Sequence, residues 1–291
     1  MFLQPNAARQ RLAVRDDLLA RASIYCAALA LAIALTCSYT FPAYADPVAP
    51  DPPAQGPTAT HRMMLPLVTG GPGANTGATY SSIPVLPPPT DRPAPQHADL
   101  NLGLRGYSPT LATLDLISYG GDTDWGAPQM PGIFSDRRTP RFTSAYRVFE
   151  WDWGCGPAGC RAGPIASPAV TLLGMETRVG ELIAAPSRGA EIYAGGYTAL
   201  VLYVDEQRIT LKYTRDDNVV SGYTVHLENV SIDQGLLTRY RRNDAEGRGE
   251  LPALTNGQPL GMASGDEVLV AIRDCGTFMD PRSGKDWWHG R

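Results

Sequence analysis

Histidine, cysteine and net positive charge are all scarce in this chain, and each shortage removes a class of function. Only His61, His97, His226 and His289 occur among 291 residues, with none between 97 and 226. Lys and Arg total 25 against 29 Asp and Glu, a net charge of −4 without a basic block, so the footprint of a nucleic-acid binder is missing. No Gly-x-Ser-x-Gly elbow presents a serine, and a Ser/His/Asp triad would have to depend on His226. Beyond residue 45 no apolar run approaches the ~20 residues of a spanning helix. The 43% hydrophobic content is that of a globular protein, which argues against a wholly disordered chain.

What is present divides into unlike parts. Arg9, Arg11, Arg15 and Arg21 lead into a nearly uncharged stretch, 22–45, ending Ala43-Tyr44-Ala45. This is the pattern of a secretory signal peptide over 1–45; the alternative is an uncleaved anchor. Cleavage removes four Arg and two Asp and takes the net charge from −4 to −6, which further weakens any partnership with polyanions. It also removes Cys26 and Cys37, leaving Cys155, Cys160 and Cys275 in a compartment where disulfides persist. In WGCGPAGC the intervening Gly-Pro-Ala-Gly makes a turn, so Cys155–Cys160 is the expected bridge and Cys275 a small buried apolar residue. Residues 46–97 hold half of the chain's 26 prolines and read as an extended spacer without a fold.

The folded part is expected to be mainly β, an antiparallel sheet domain with one helical insertion. It is expected as an irregular lead-in over 98–164 followed by a β-rich domain over 165–291. Short β-branched and aromatic runs at 146–151, 169–173, 199–204, 208–213, 222–227 and 267–274 are separated by turn residues. In RITLKYT, Ile209, Leu211 and Tyr213 alternate with Thr210, Lys212 and Thr214, as in a half-solvated sheet. Between 232 and 249 the period changes: Leu236, Leu237 and Tyr240 recur at helical spacing behind Asp233, predicting one helix of about 12 residues. GGDTDWG lacks the glycine and distal glutamate of an EF-hand and is an Asx-rich turn.

Acidic pairs offer carboxylate chemistry at Glu150/Asp152 or at Asp274/Asp280, since a glycosidase needs two such groups facing one sugar. Trp151 and Trp153, with Trp287 and Trp288, form either a sugar-stacking surface or core and lid residues. If the terminal DWW is a strand, one of the two adjacent tryptophans is buried and the other exposed.

The order of GYTVHLENVS, a helical insertion, LPALTNGQPLG and EVLVAIRDCGTFMDP resembles the second half of lysostaphin-type zinc endopeptidases. Those enzymes cut peptide cross-bridges in bacterial walls and fold as a small antiparallel β-domain. The shared frame rests on Gly222-Tyr223-Thr224, Gly257-Gln258 with Gly261, and Ile272-Arg273-Asp274 through Asp280-Pro281. The zinc ligands do not carry over. Aligning Gly222-Tyr223-Thr224 puts Asn229 where the family has a histidine, whereas anchoring on His226-Leu227 puts Thr224 at the tyrosine. Aligning Ile272-Arg273 puts Glu267 and Leu269 at the two positions of H-x-H, and the upstream H-x-x-x-D has no counterpart. A water-activating zinc needs three protein ligands on one centre.

The resemblance therefore implies a degenerate module with no catalytic residue, metal or cofactor. Its binding groove would lie near His226, Asn229, Glu267 and Leu269, with Trp287 and Trp288 as further contacts. The expected function is a secreted or cell-surface noncatalytic module that binds or scaffolds at cell-wall or extracellular polysaccharide, with no nucleic-acid partner and no membrane span after signal cleavage. The alternative is a secreted hydrolase that uses carboxylates instead of zinc.

Overall fold

The computed structural model describes residues 73–289. The signal peptide, the first part of the spacer, Cys26 and Cys37 lie outside the described residues. Fourteen strands are described: β1 (Ser81–Pro84), β2 (Tyr107–Pro109), β3 (Phe142–Asp152), β4 (Cys160–Pro164), β5 (Leu172–Glu176), β6 (Leu182–Ala184), β7 (Tyr197–Val204), β8 (Arg208–Lys212), β9 (Tyr223–Glu228), β10 (Val230–Ile232), β11 (Glu250–Thr255), β12 (Pro259–Ala263), β13 (Glu267–Asp274) and β14 (Thr277–Met279). Three helices accompany them: α1 (Leu102–Arg105), α2 (Gln234–Ala245) and α3 (Gly284–Trp287). The fold is mainly β and antiparallel. A large sheet runs β1-β11-β7-β8-β9-β13-β5-β3-β2, with β14 on β13 and β4 on β3; a small sheet runs β10-β12-β6.

The helical insertion is α2. Asp233 caps it, accepting from Gly235 N at 2.7 Å and Leu236 N at 3.3 Å, which satisfies donors a helix start leaves open. Leu236, Leu237 and Tyr240 are its buried face, and the Tyr240 hydroxyl donates to Leu202 O at 3.1 Å. Just past α2, Arg248 is held by a buried fork: Nε and Nη2 each donate to Asp217 at 2.7 Å.

Residues 73–97 correct the spacer assignment. β1 pairs with β11 in register Ile83↔Leu251, and Tyr80, Ile83 and Ala94 are buried. Tyr80 donates to Pro259 O at 3.0 Å, Thr76 N and Oγ1 donate to Asp233 Oδ2 at 2.6 and 2.7 Å, and Thr90 N donates to Asp217 at 3.1 Å. The prolines are tolerated because β1 is an edge strand that needs few N–H donors. The break expected at 164/165 is also absent: β3 lies between β2 and β5 in the same sheet.

The alternation in β8 is real, but its polar face is not solvated. Ile209, Leu211, Val225, Leu227, Val270 and Ile272 face the main core. On the other side Thr210, Lys212, Thr224, His226, Glu228 and Arg273 are buried too. The segment around α1 covers them, and the Thr210 hydroxyl donates to Leu100 O at 2.6 Å. Phe278 from β14 completes the cover. Its hairpin turns through Cys275 (φ 44) and Gly276 (φ 83), a two-residue loop with both φ values positive, where glycine is at ease. Cys275 is exposed at that turn, not buried as its apolar character suggested. The Cys155–Cys160 disulfide is formed.

Candidate functional site

Two neighbouring hollows open on the side of the sheet that carries β14 and α3. The larger, about 370 Å³, lies between Tyr119-Gly120, Ser167-Pro168, β14 and α3, with Asp280, Lys285, Asp286 and Trp287 among its walls. The smaller, about 250 Å³, is lined by Arg105, Glu150, Ile165, Arg273 and Gly276, and shares Ser167, Thr277 and Phe278 with the first. The larger lies within the size range of small-molecule sites.

Hydrogen bonding fixes the larger cleft. Asp280, 4% exposed, accepts Arg282 Nε at 2.9 Å and Nη2 at 2.7 Å, Arg282 N at 3.0 Å, and the Tyr119 hydroxyl at 3.3 Å. Its acceptor capacity is used up. Burial, then the Asp280 carboxylate, hold the Tyr119 phenol above its usual range. Asp286 is different: it accepts Ser283 Oγ at 2.7 Å on one oxygen and Lys285 Nζ at 2.8 Å on the other, and the Asp124 backbone also bonds it, which leaves part of its acceptor capacity unused. Burial would raise its pKa, but Lys285 and Ser283 outweigh that and keep it lowered. Lys285 Nζ also donates to Asp122 O at 2.8 Å, which leaves a third proton for a ligand. Tyr119, 42% exposed, offers an open ring face at the rim, and Trp125, 67% exposed, stands in the adjoining loop. That loop is the expected Asx turn, with Gly126 N donating to Asp124 Oδ1 at 2.7 Å.

Around the smaller hollow a buried ion cluster is built from β13, α1 and the chain just before α1. Asp99 Oδ1 accepts both Arg105 Nη2 at 2.6 Å and Arg273 Nη1 at 2.8 Å. Arg105 also donates to Ala98 O and Phe149 O, and Arg273 donates twice to Gly276 O. Both guanidinium groups lie over the Phe278 ring, 5.6 and 4.6 Å from its centre. Burial would push the Asp99 carboxyl up, yet Arg273 and then Arg105 more than offset it and hold it at about 2.

The residues singled out from sequence are largely elsewhere. His226, 1% exposed, sits 2.9 Å from Thr210 Oγ1 through Nδ1. The one Thr210 proton goes to Leu100 O, so Nδ1–H is the donor and Nε2 the unprotonated nitrogen. Nε2 has no hydrogen-bond partner among the described residues, and burial lowers the imidazole pKa well below its usual range. Asn229 holds a positive φ of 65 at the end of β9 and donates to Glu267 O at 3.3 Å. Glu267 accepts hydroxyl bonds from Thr143 and Ser144 across the sheet. These three residues serve strand pairing, and neither hollow is lined by them or by Trp288.

Trp287 and Trp288 are both buried, at 2% and 7% exposed, with indole N–H bonds to Asp280 O at 2.9 Å and Pro281 O at 2.8 Å. The expectation that one points outward fails because the segment is a helical turn, not a strand. Trp287 alone lines the cleft. Among the described residues no group of three or more His, Cys, Asp or Glu is gathered to hold a metal. No described helix is long and apolar enough to cross a membrane.

The carboxylates proposed for hydrolysis are not set as an acid and base pair. Glu150 and Asp152 are exposed; Asp152 accepts from Gly154 N at 2.8 Å, while Glu150 lines the smaller hollow. Asp280 is locked to Arg282. A glycosidase acid needs a raised pKa, and Asp286 in the cleft is lowered. Tyr119 and Asp286 were not singled out from sequence; the signal available was a polar Lys-Asp beside the tryptophan pair. No protein family, curated protein or solved structure matched the chain.

Proposed function

We propose that this chain is a noncatalytic module that binds a polysaccharide of the cell wall or extracellular matrix, acting outside the cell, with the 370 Å³ cleft as its site. The observation that supports it is the cleft's mixed wall: an open tyrosine face at the rim, beside a lysine proton and a carboxylate with acceptor capacity to spare. Sugars offer an apolar C–H face and a ring of hydroxyls, and an aromatic plane with a few fixed polar groups meets both needs. Asp280 is locked to Arg282 and Asp286 is paired with Lys285, so neither carboxyl is set as a proton donor, which supports binding over hydrolysis. The resemblance to lysostaphin-type enzymes points to the same wall setting, although the cleft lies away from the positions that align with the zinc ligands.

The test is retention of the purified protein on wall glycan and on extracellular polysaccharide, alongside Tyr119→Ala. Tyr119 is half-exposed, so its truncation leaves the fold intact and is expected to weaken retention about tenfold. Retention unchanged by Tyr119→Ala, or no retention on any glycan, overturns the assignment.

A further inference from the structure

The smaller hollow carries a charge pattern that the cleft alone does not explain. Arg105 and Arg273 have side chains 6% and 5% exposed and share one buried carboxylate, Asp99. Each guanidinium commits three of its five N–H donors to protein oxygens and retains two. Two buried cations facing one buried anion leave a positive charge that water does not screen. Both line the hollow, together with Ser167, Thr277 and the exposed Glu150. A guanidinium fork matches a planar carboxylate. The exposed Glu150 carboxylate opposes an incoming anion only weakly, because solvent screens it.

Because the hollow shares Ser167, Thr277 and Phe278 with the cleft, one ligand can reach both. We infer that the module selects an acidic polysaccharide, a chain in which a sugar placed over Tyr119 or its neighbour carries a carboxylate that enters the hollow between Arg105 and Arg273. This rests on the polysaccharide reading of the cleft and names the class of sugar it takes. The overall negative charge of the protein does not oppose it, since recognition is by a local, desolvated pair of cations and not by a basic surface.

The experiment compares binding of the full chain to polygalacturonate and to the same polymer after carboxyl reduction, by titration calorimetry at fixed salt. The carboxylated polymer is expected to bind about ten- to a hundredfold more tightly, the range of a charge-assisted hydrogen-bonded contact. Removing Arg105 or Arg273 would disturb the buried cluster, so the variant is Glu150→Gln, at an exposed side chain. It is expected to raise the ratio of acidic to neutral affinity up to about fivefold. Equal affinity for both polymers, or an acidic preference indifferent to Glu150→Gln, overturns the carboxylate assignment while the cleft reading stands. Failure of both polymers together with all wall glycans overturns the polysaccharide reading itself.

Discussion

Ile83→Ala tests whether residues 73–97 belong to the fold. Ile83 is 2% exposed, lies opposite Leu251 in the β1–β11 ladder and belongs to the main core. The substitution deletes three carbons, worth about 2.4 kcal/mol at ~0.8 kcal/mol per buried carbon. The unfilled space adds to this, so the expected loss is about 3 kcal/mol, inside the range of about 2–5 for such truncations. Leu86→Ala in the same segment is the control, because Leu86 is 40% exposed and a surface change stays within about 0.5 kcal/mol. Urea unfolding followed by intrinsic fluorescence reads both, and the midpoint should move with an unchanged slope. If Ile83→Ala costs no more than Leu86→Ala, the segment is a spacer after all and the β1–β11 pairing is refuted.

Acid should weaken the fold through Asp99. Its pKa in the folded protein, about 2, lies below the usual ~3.9, so folding favours the charged form. That stabilisation is complete above about pH 4 and is lost as the pH falls through about 2, amounting to roughly 2 kcal/mol. Urea titrations between pH 2 and 5 should show an acid limb that is flatter in Asp99→Asn, although this variant is less stable at neutral pH; an unchanged limb refutes the assignment. Reducing Cys155–Cys160 should cost about 2 kcal/mol or less, since the bridge closes a very short loop whose turn residues are mostly exposed. Unfolding with and without reductant measures it, and a loss above about 4 kcal/mol would mean the hairpin is integral to the core.

Local patterns carried much of the fold into the sequence. The alternation in β8, the helix behind its Asp233 cap and the Gly-Pro-Ala-Gly turn between two cysteines each depend on neighbours within a few residues. What the sequence hid is set by distant partners. Thr210 meets Leu100 across 110 residues, and only that contact tells a buried polar face from a wet one. Proline content over 46–97 suggested a spacer because composition averages over the buried Tyr80, Ile83 and Ala94. The terminal tryptophans needed the helical turn, which sets successive side chains about 100° apart, to bury both. The cleft is assembled from residues near 119, 167, 277 and 286, so only its Lys285-Asp286-Trp287 corner was contiguous.

The buried polar face sharpens the functional argument. A sheet that needed only stability would cover β8, β9 and β13 with apolar residues on both sides, because a buried ion pair costs desolvation that its attraction does not reliably return. This chain instead keeps Arg105, Arg273 and Asp99 buried together and leaves both guanidinium groups, which line a hollow, with spare donors. Both lie over the Phe278 ring and share Asp99 Oδ1, while Gly276 O holds Arg273 and Ala98 O and Phe149 O hold Arg105. Cations held this rigidly need no reorganisation when an anion arrives, and preorganisation of that kind is what a recognition site requires. The physical tension in the fold and the proposed binding site therefore meet at the same two arginines.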